Sequence, residues 1–144
     1  GIVAGASEEE QNRMYEFGRN LGIAFQIQDD YLDAFGDPKT FGKQVGGDII
    51  ENKKTYLYLK AVELGSTVQQ KEILDLYSIH PQNSEDKVDS IKRIFISSGA
   101  AAQTKSAIEA YTQKAFKTLD FLQISTDKKL MLHEFGENLM RRKD

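Results

Sequence analysis

The chain has 144 residues, 40% of them hydrophobic, a formal charge of −3 and no cysteine. That is enough apolar material for one core, so one domain or one large piece of a domain is expected. Without cysteine there is no disulfide, thiol nucleophile or Cys-ligated zinc, which suits a reducing cytosol, and without a broad basic field nucleic acid is a poor partner.

The chain starts on Gly1-Ile2-Val3-Ala4-Gly5-Ala6, with no initiator Met, no charged n-region and no proper h-region. It reads as the interior of a longer protein, or as a trimmed chain, and not as a signal peptide. No apolar run is long enough to span a bilayer, and a cytoplasmic protein is expected. Between the breaks at Pro38 and Pro81 the dominant apolar spacing is three and four, not two, so the chain reads as all-α.

Ser7 followed by Glu8, Glu9 and Glu10 opens the first helix: Ser7 caps, Glu10 closes a capping box, and the acids favour the positive helix end. The pattern then runs to about Phe35, a length of about 40 Å at 1.5 Å per residue. Gly36-Asp37-Pro38 stops it. A glycine-rich loop is expected over 36–52, with a second helix from about Ile49 to Leu64, ended by Gly65. A third runs from Ser66 to about Ile79, a fourth from Ser84 to near Gly99, a fifth over roughly Ala100–Gln123, and the last follows Ser125-Thr126.

The chemistry concentrates at the end of the first helix. At about 100° per residue, Gln26, Asp29, Asp30 and Asp33 share one stripe, while Phe25 and Leu32 point elsewhere. Acids belong at the other helix end, and like charges about 6 Å apart repel by roughly 3 kcal/mol at an effective dielectric of 20. Something positive should offset them. Oxygen-only ligands favour Mg²⁺ over zinc, and Mg²⁺ held this way bridges to phosphate oxygens. A merely solvated acidic face is the alternative, but it has no need of Gly18 and Gly22 upstream, where small residues admit a close neighbour.

After the acids, Gly42-Lys43-Gln44-Val45-Gly46-Gly47-Asp48 leads to Asn52-Lys53-Lys54-Thr55. Glycines let a loop present amides to an anion, and Lys43 and Lys53 add positive charge, so the segment describes a diphosphate cradle. It is not a Walker loop. Lys39 and Lys60 read as plain surface lysines, and the isolated His80 and His133 as surface or packing residues.

Phe25-Gln26-Ile27-Gln28-Asp29-Asp30-Tyr31-Leu32-Asp33, then Gly36-Asp37, Gly42-Lys43, Gly46, Asp48-Ile49 and Lys53, resembles the second aspartate-rich motif and trailing loop of the polyprenyl synthetases, the farnesyl and geranylgeranyl diphosphate synthase-like enzymes. The likeness implies an antiparallel helical bundle of the isoprenoid synthase type, with residues 1–144 as the carboxyl-terminal portion of a single such domain. It implies a prenyltransferase that ionises an allylic diphosphate on Mg²⁺ and condenses it with isopentenyl diphosphate. By position, Asp29 would ligate the metal directly, and Asp30 and Asp33 directly or through water. Gln26 would contact the allylic substrate, Lys43 would grip its diphosphate, Lys53 and Asp48 would support the same network, and Phe25 would flank the reacting carbons. A homodimer is expected by analogy.

The family's earlier Asp-Asp-x-x-Asp on a facing helix has no counterpart here, since Asp29-Asp30 is the only Asp-Asp in the chain. The chain thus carries half a site. Arg141-Arg142-Lys143 is either a basic tail closing over isopentenyl diphosphate or a cationic cap on the last helix. Two other readings stand beside the prenyltransferase. A class I terpene synthase usually mixes Asn, Ser or Thr with Glu in its second motif, and a non-catalytic subunit would be expected to lose ligands.

Overall fold

The computed structural model describes residues 8–36 and 46–141. Among them there are seven helices and no strand: α1 Glu8–Phe35, α2 Gly47–Ile50, α3 Tyr56–Leu64, α4 Thr67–Leu76, α5 Glu85–Ser97, α6 Ala100–Asp120 and α7 Thr126–Arg141. The all-α expectation is met. No helix among the described residues is long and apolar enough to cross a membrane.

The contacts divide the described chain into two compact units, residues 8–26 with 107–141 and residues 27–36 with 46–106. In the first, Phe17 and Leu21 on α1 sit at helical spacing and are buried with Ala115, Leu119 and Leu122, flanked by Met14, Phe116, Leu132 and Leu139. The start of α1 also holds the end of α6. Glu10 accepts the Gln123 amide at 2.9 Å, and Arg13, paired with Glu9 and Glu10, donates to the Phe121 carbonyl at 3.3 Å. That carbonyl is one of the acceptors a helix leaves open at its carboxyl end. Gly136 on α7 is buried, and a Cβ there would stand 2.9 Å from the Phe116 ring.

The second unit is built on Ala34, Ile49, Leu57, Tyr58, Ala61, Ile73, Ile91, Ile94, Phe95 and Ala100, with Tyr31 and Phe35 against them. Ala34, Ala61 and Ala100 are at most 2% exposed, and their small side chains admit neighbouring backbones closely. Ser66 and Gln69 form a reciprocal capping box at the start of α4. The Gln70 side chain donates to the Val62 carbonyl at 2.7 Å and ties α4 to the end of α3.

The expected second helix, Ile49–Leu64, is broken in two. Asn52 takes a left-handed φ of 59°, the Asn52 amide donates to the Ile49 carbonyl at 3.1 Å, and the Lys53 amide donates to the Asp48 carbonyl at 2.9 Å. This is a Schellman end with Asn where glycine is commoner. Thr55 then caps α3 by accepting the Tyr58 amide at 3.3 Å. Gly46 precedes α2 with a φ of 90°, and a Cβ there would stand 2.7 Å from Val88, so this position needs glycine twice over. The remaining helices end a few residues short of the expected limits, α4 at Leu76, α5 at Ser97 and α6 at Asp120. Ser7 lies outside the described residues, as do Asp37 and Pro38.

Candidate diphosphate and metal site

The carboxyl end of α1 delivers its acids to the amino ends of two other helices. Asp33 accepts the Asp48 amide, in the first turn of α2, at 2.7 Å. Asp30 accepts the Tyr56 amide, the first residue of α3, through a longer contact of 3.4 Å. Unpaired amides and the positive end of the dipole make a helix start a place for anions. Part of the positive charge expected to offset these acids is therefore supplied by backbone, residues 15 and 26 further along the chain.

Asp48 links this arrangement to a cation. Its side chain stands 3.5 Å from the Lys53 ammonium, which is as close to Glu51. Lys53 remains 59% exposed in its side chain, and Asp48 foremost, then Glu51, holds its ammonium above the ordinary lysine value. Asp30 is half-buried. Burial is the chief reason its carboxyl lies above the ordinary carboxylate value, opposed by the Tyr56 amide, with Asp48 and Asp29 adding to the rise and Lys53 opposing it.

Phe25 and Gln26 fall in the first unit, the one half-buried and the other exposed, and Asp29 is half-buried in the second. Lys43, with Gly42 and Gln44, lies outside the described residues. Gly18 and Gly22 have nothing within 4 Å of an added Cβ among the described residues. His80 Nε2 is 3.2 Å from the Asn52 amide nitrogen, and His133 pairs with Glu137 at 3.0 Å and stacks on Phe116. Arg141 pairs with the same Glu137 at 3.2 Å, while Arg142 and Lys143 are not described.

Sequence reasoning missed three residues of this region. Tyr77 packs on Tyr58 at 4.5 Å, and its buried hydroxyl finds no hydrogen-bond partner among the described residues. Burial first, then Tyr58, Asp48 and Asp33, pushes that hydroxyl above the ordinary phenol value, so it stays protonated beside the acids. Asn52 and Lys87 support the α2–α3 turn. Asn52 between an apolar pair and Lys53-Lys54-Thr55 was a readable signal of a helix end followed by a cap, whereas Tyr77 and Lys87 carried none.

Among the described residues no three acidic or histidine side chains converge closely enough to enclose a metal ion. Acids spaced this openly suit an ion that keeps several waters and takes one or two carboxylates together with phosphate oxygens, as Mg²⁺ does. Asp29, Asp30 and Asp33 are the residues that would hold it, directly or through its waters.

The family pattern described as polyprenyl synthetase matches residues 1–95. The chain is 41% identical over 114 residues to the geranylfarnesyl diphosphate synthase of Aeropyrum pernix, covering 79% of this chain and 34% of that one. A crystal structure of a geranylgeranyl pyrophosphate synthase is 47% identical, with a TM-score of 0.85 over 98% of this chain and 44% of the other. A geranylgeranyl pyrophosphate synthase of Corynebacterium glutamicum, in complex with isoprenyl diphosphate and magnesium, is 27% identical with a TM-score of 0.80, covering 96% of this chain and 39% of the other. The chain therefore spans between about a third and just under half of the length of each.

Proposed function

The chain belongs to the polyprenyl synthetase family, and from that membership we propose that it is the carboxyl-terminal part of a single isoprenoid synthase domain that condenses isopentenyl diphosphate with an allylic diphosphate. The observation that carries the reading is the meeting of Asp30 and Asp33 with two helix starts and with the Asp48–Lys53 pair, on the segment that resembles the family's second aspartate-rich motif.

Bound Mg²⁺ supplies charge neutralisation for a departing diphosphate. The chain's own residues then have distinct tasks. Asp29, Asp30 and Asp33 bind the metal through oxygen. Lys53, whose side chain is mostly exposed, donates to diphosphate oxygens, and Asp48 aims it. Lys43 would grip the same group, Gln26 would contact the allylic chain, and Phe25 would flank the reacting carbons. No nucleophile is required, because such a site works by stabilising the charge that develops on the leaving group. The magnesium and isoprenyl diphosphate bound by the Corynebacterium glutamicum relative support the choice of ligand class.

The test is product formation by the full-length protein from isopentenyl and allylic diphosphates. Chain-elongated product that appears with Mg²⁺ and vanishes on chelation supports the proposal. Cyclised hydrocarbon from the allylic diphosphate alone would favour a terpene synthase instead, and no turnover of either kind would favour a non-catalytic subunit.

A further inference from the structure

Lys87 lies in the first turn of α5 and is only 3% exposed. That is a poor place for an ammonium. Burial lowers its affinity for a proton, the adjacent helix start is itself positive, and no carboxylate pairs with it among the described residues. Its charge is spent on neutral acceptors. Lys87 donates to the Asn52 side-chain oxygen and, at 2.8 Å, to the Ile79 carbonyl, with the Tyr77 ring 5.9 Å away. The Asn52 side-chain nitrogen donates to the same Ile79 carbonyl at 3.2 Å. Both ends of the Asn52 amide are therefore fixed, and its backbone is the left-handed residue that closes α2.

We propose that Lys87 is a positioning residue for Lys53: it clamps Asn52 in the left-handed conformation that turns Lys53 back onto Asp48. The link is short. Asn52 is the residue before Lys53, the Lys53 amide closes the Schellman turn on the Asp48 carbonyl, and the Lys53 ammonium then meets the Asp48 side chain. A residue other than glycine resists this conformation, and the anchored side chain compensates. The functional half of the inference rests on the reading of Lys53 as a diphosphate ligand.

The experiment uses the full-length protein and two readouts, amide hydrogen exchange at Lys53 and Mg²⁺-dependent affinity for inorganic diphosphate. Lys87→Met keeps the buried stem and removes the donors. Exchange at Lys53 should quicken by about tenfold or more as the turn opens locally, and diphosphate affinity should fall several-fold. Adding Asn52→Gly to Lys87→Met should restore both, because glycine takes the left-handed conformation unaided; a general loss of stability would not be rescued this way. Should Lys87→Met not fold, Asn52→Ala is expected to show the same faster exchange. Unchanged exchange in Lys87→Met, or a double variant no better than the single one, overturns the proposal. A wild-type protein that binds no diphosphate overturns the reading of Lys53, and the exchange arms still decide whether Lys87 sets the turn.

Discussion

Asp30 illustrates a conflict that function imposes on a single residue. Burial and two neighbouring acids disfavour its charge, and one amide and one ammonium only partly relieve it. A carboxyl whose folded pKa is raised weakens the fold once the pH passes above the ordinary value of 3.8, and the full penalty is present above the folded pKa. Asp30→Asn retains an acceptor for the Tyr56 amide and removes the charge. It should stabilise the protein at neutral pH by about 1 kcal/mol while weakening Mg²⁺-dependent diphosphate binding, a trade of stability against activity. Chemical denaturation at pH 7 and again below pH 3.8 checks this, since the gain must fade at the lower pH. The stripe of Asp29, Asp30 and Asp33 was legible from helical spacing. Its partners were not, because periodicity tells which residues share a face and not what that face meets: the Asp48 and Tyr56 amides are backbone groups 15 and 26 residues further along the chain.

Among the elements, the long first helix and the capping box of α4 follow directly from local sequence, Glu8-Glu9-Glu10 at one and Ser66 with Gln69 at the other. The split between α2 and α3 was hidden by apolar residues that keep helical spacing through Ile49, Ile50, Leu57 and Ala61. A single helix there would leave Asp30 without the α3 start, so the break serves the site. Thr55→Ala should destabilise this region by about 1 kcal/mol by removing the α3 cap. On α7, the absence of a side chain matters more than its presence. Gly136→Ala would drive a methyl against the Phe116 ring, itself stacked on His133, and should cost about 1–3 kcal/mol. Thermal unfolding measures both.

For the whole molecule, all-α character was readable from composition and spacing, and the family from some thirty residues around Asp29-Asp30. The division of contacts into two units was not, because α1 and α6 show unbroken patterns although each contributes to both. The 144 residues hold one Asp-Asp pair, Asp29-Asp30, and they span about a third of the length of the Aeropyrum pernix relative. The isolated chain should accordingly show negligible condensation of isopentenyl with allylic diphosphate, and robust turnover by it would contradict the half-site account. Asp29→Ala in the full-length protein tests the central claim most directly. Steady-state turnover with saturating Mg²⁺ is predicted to fall by several orders of magnitude while circular dichroism shows unchanged helicity; a rate near that of the wild type would remove the carboxylate stripe from the reaction.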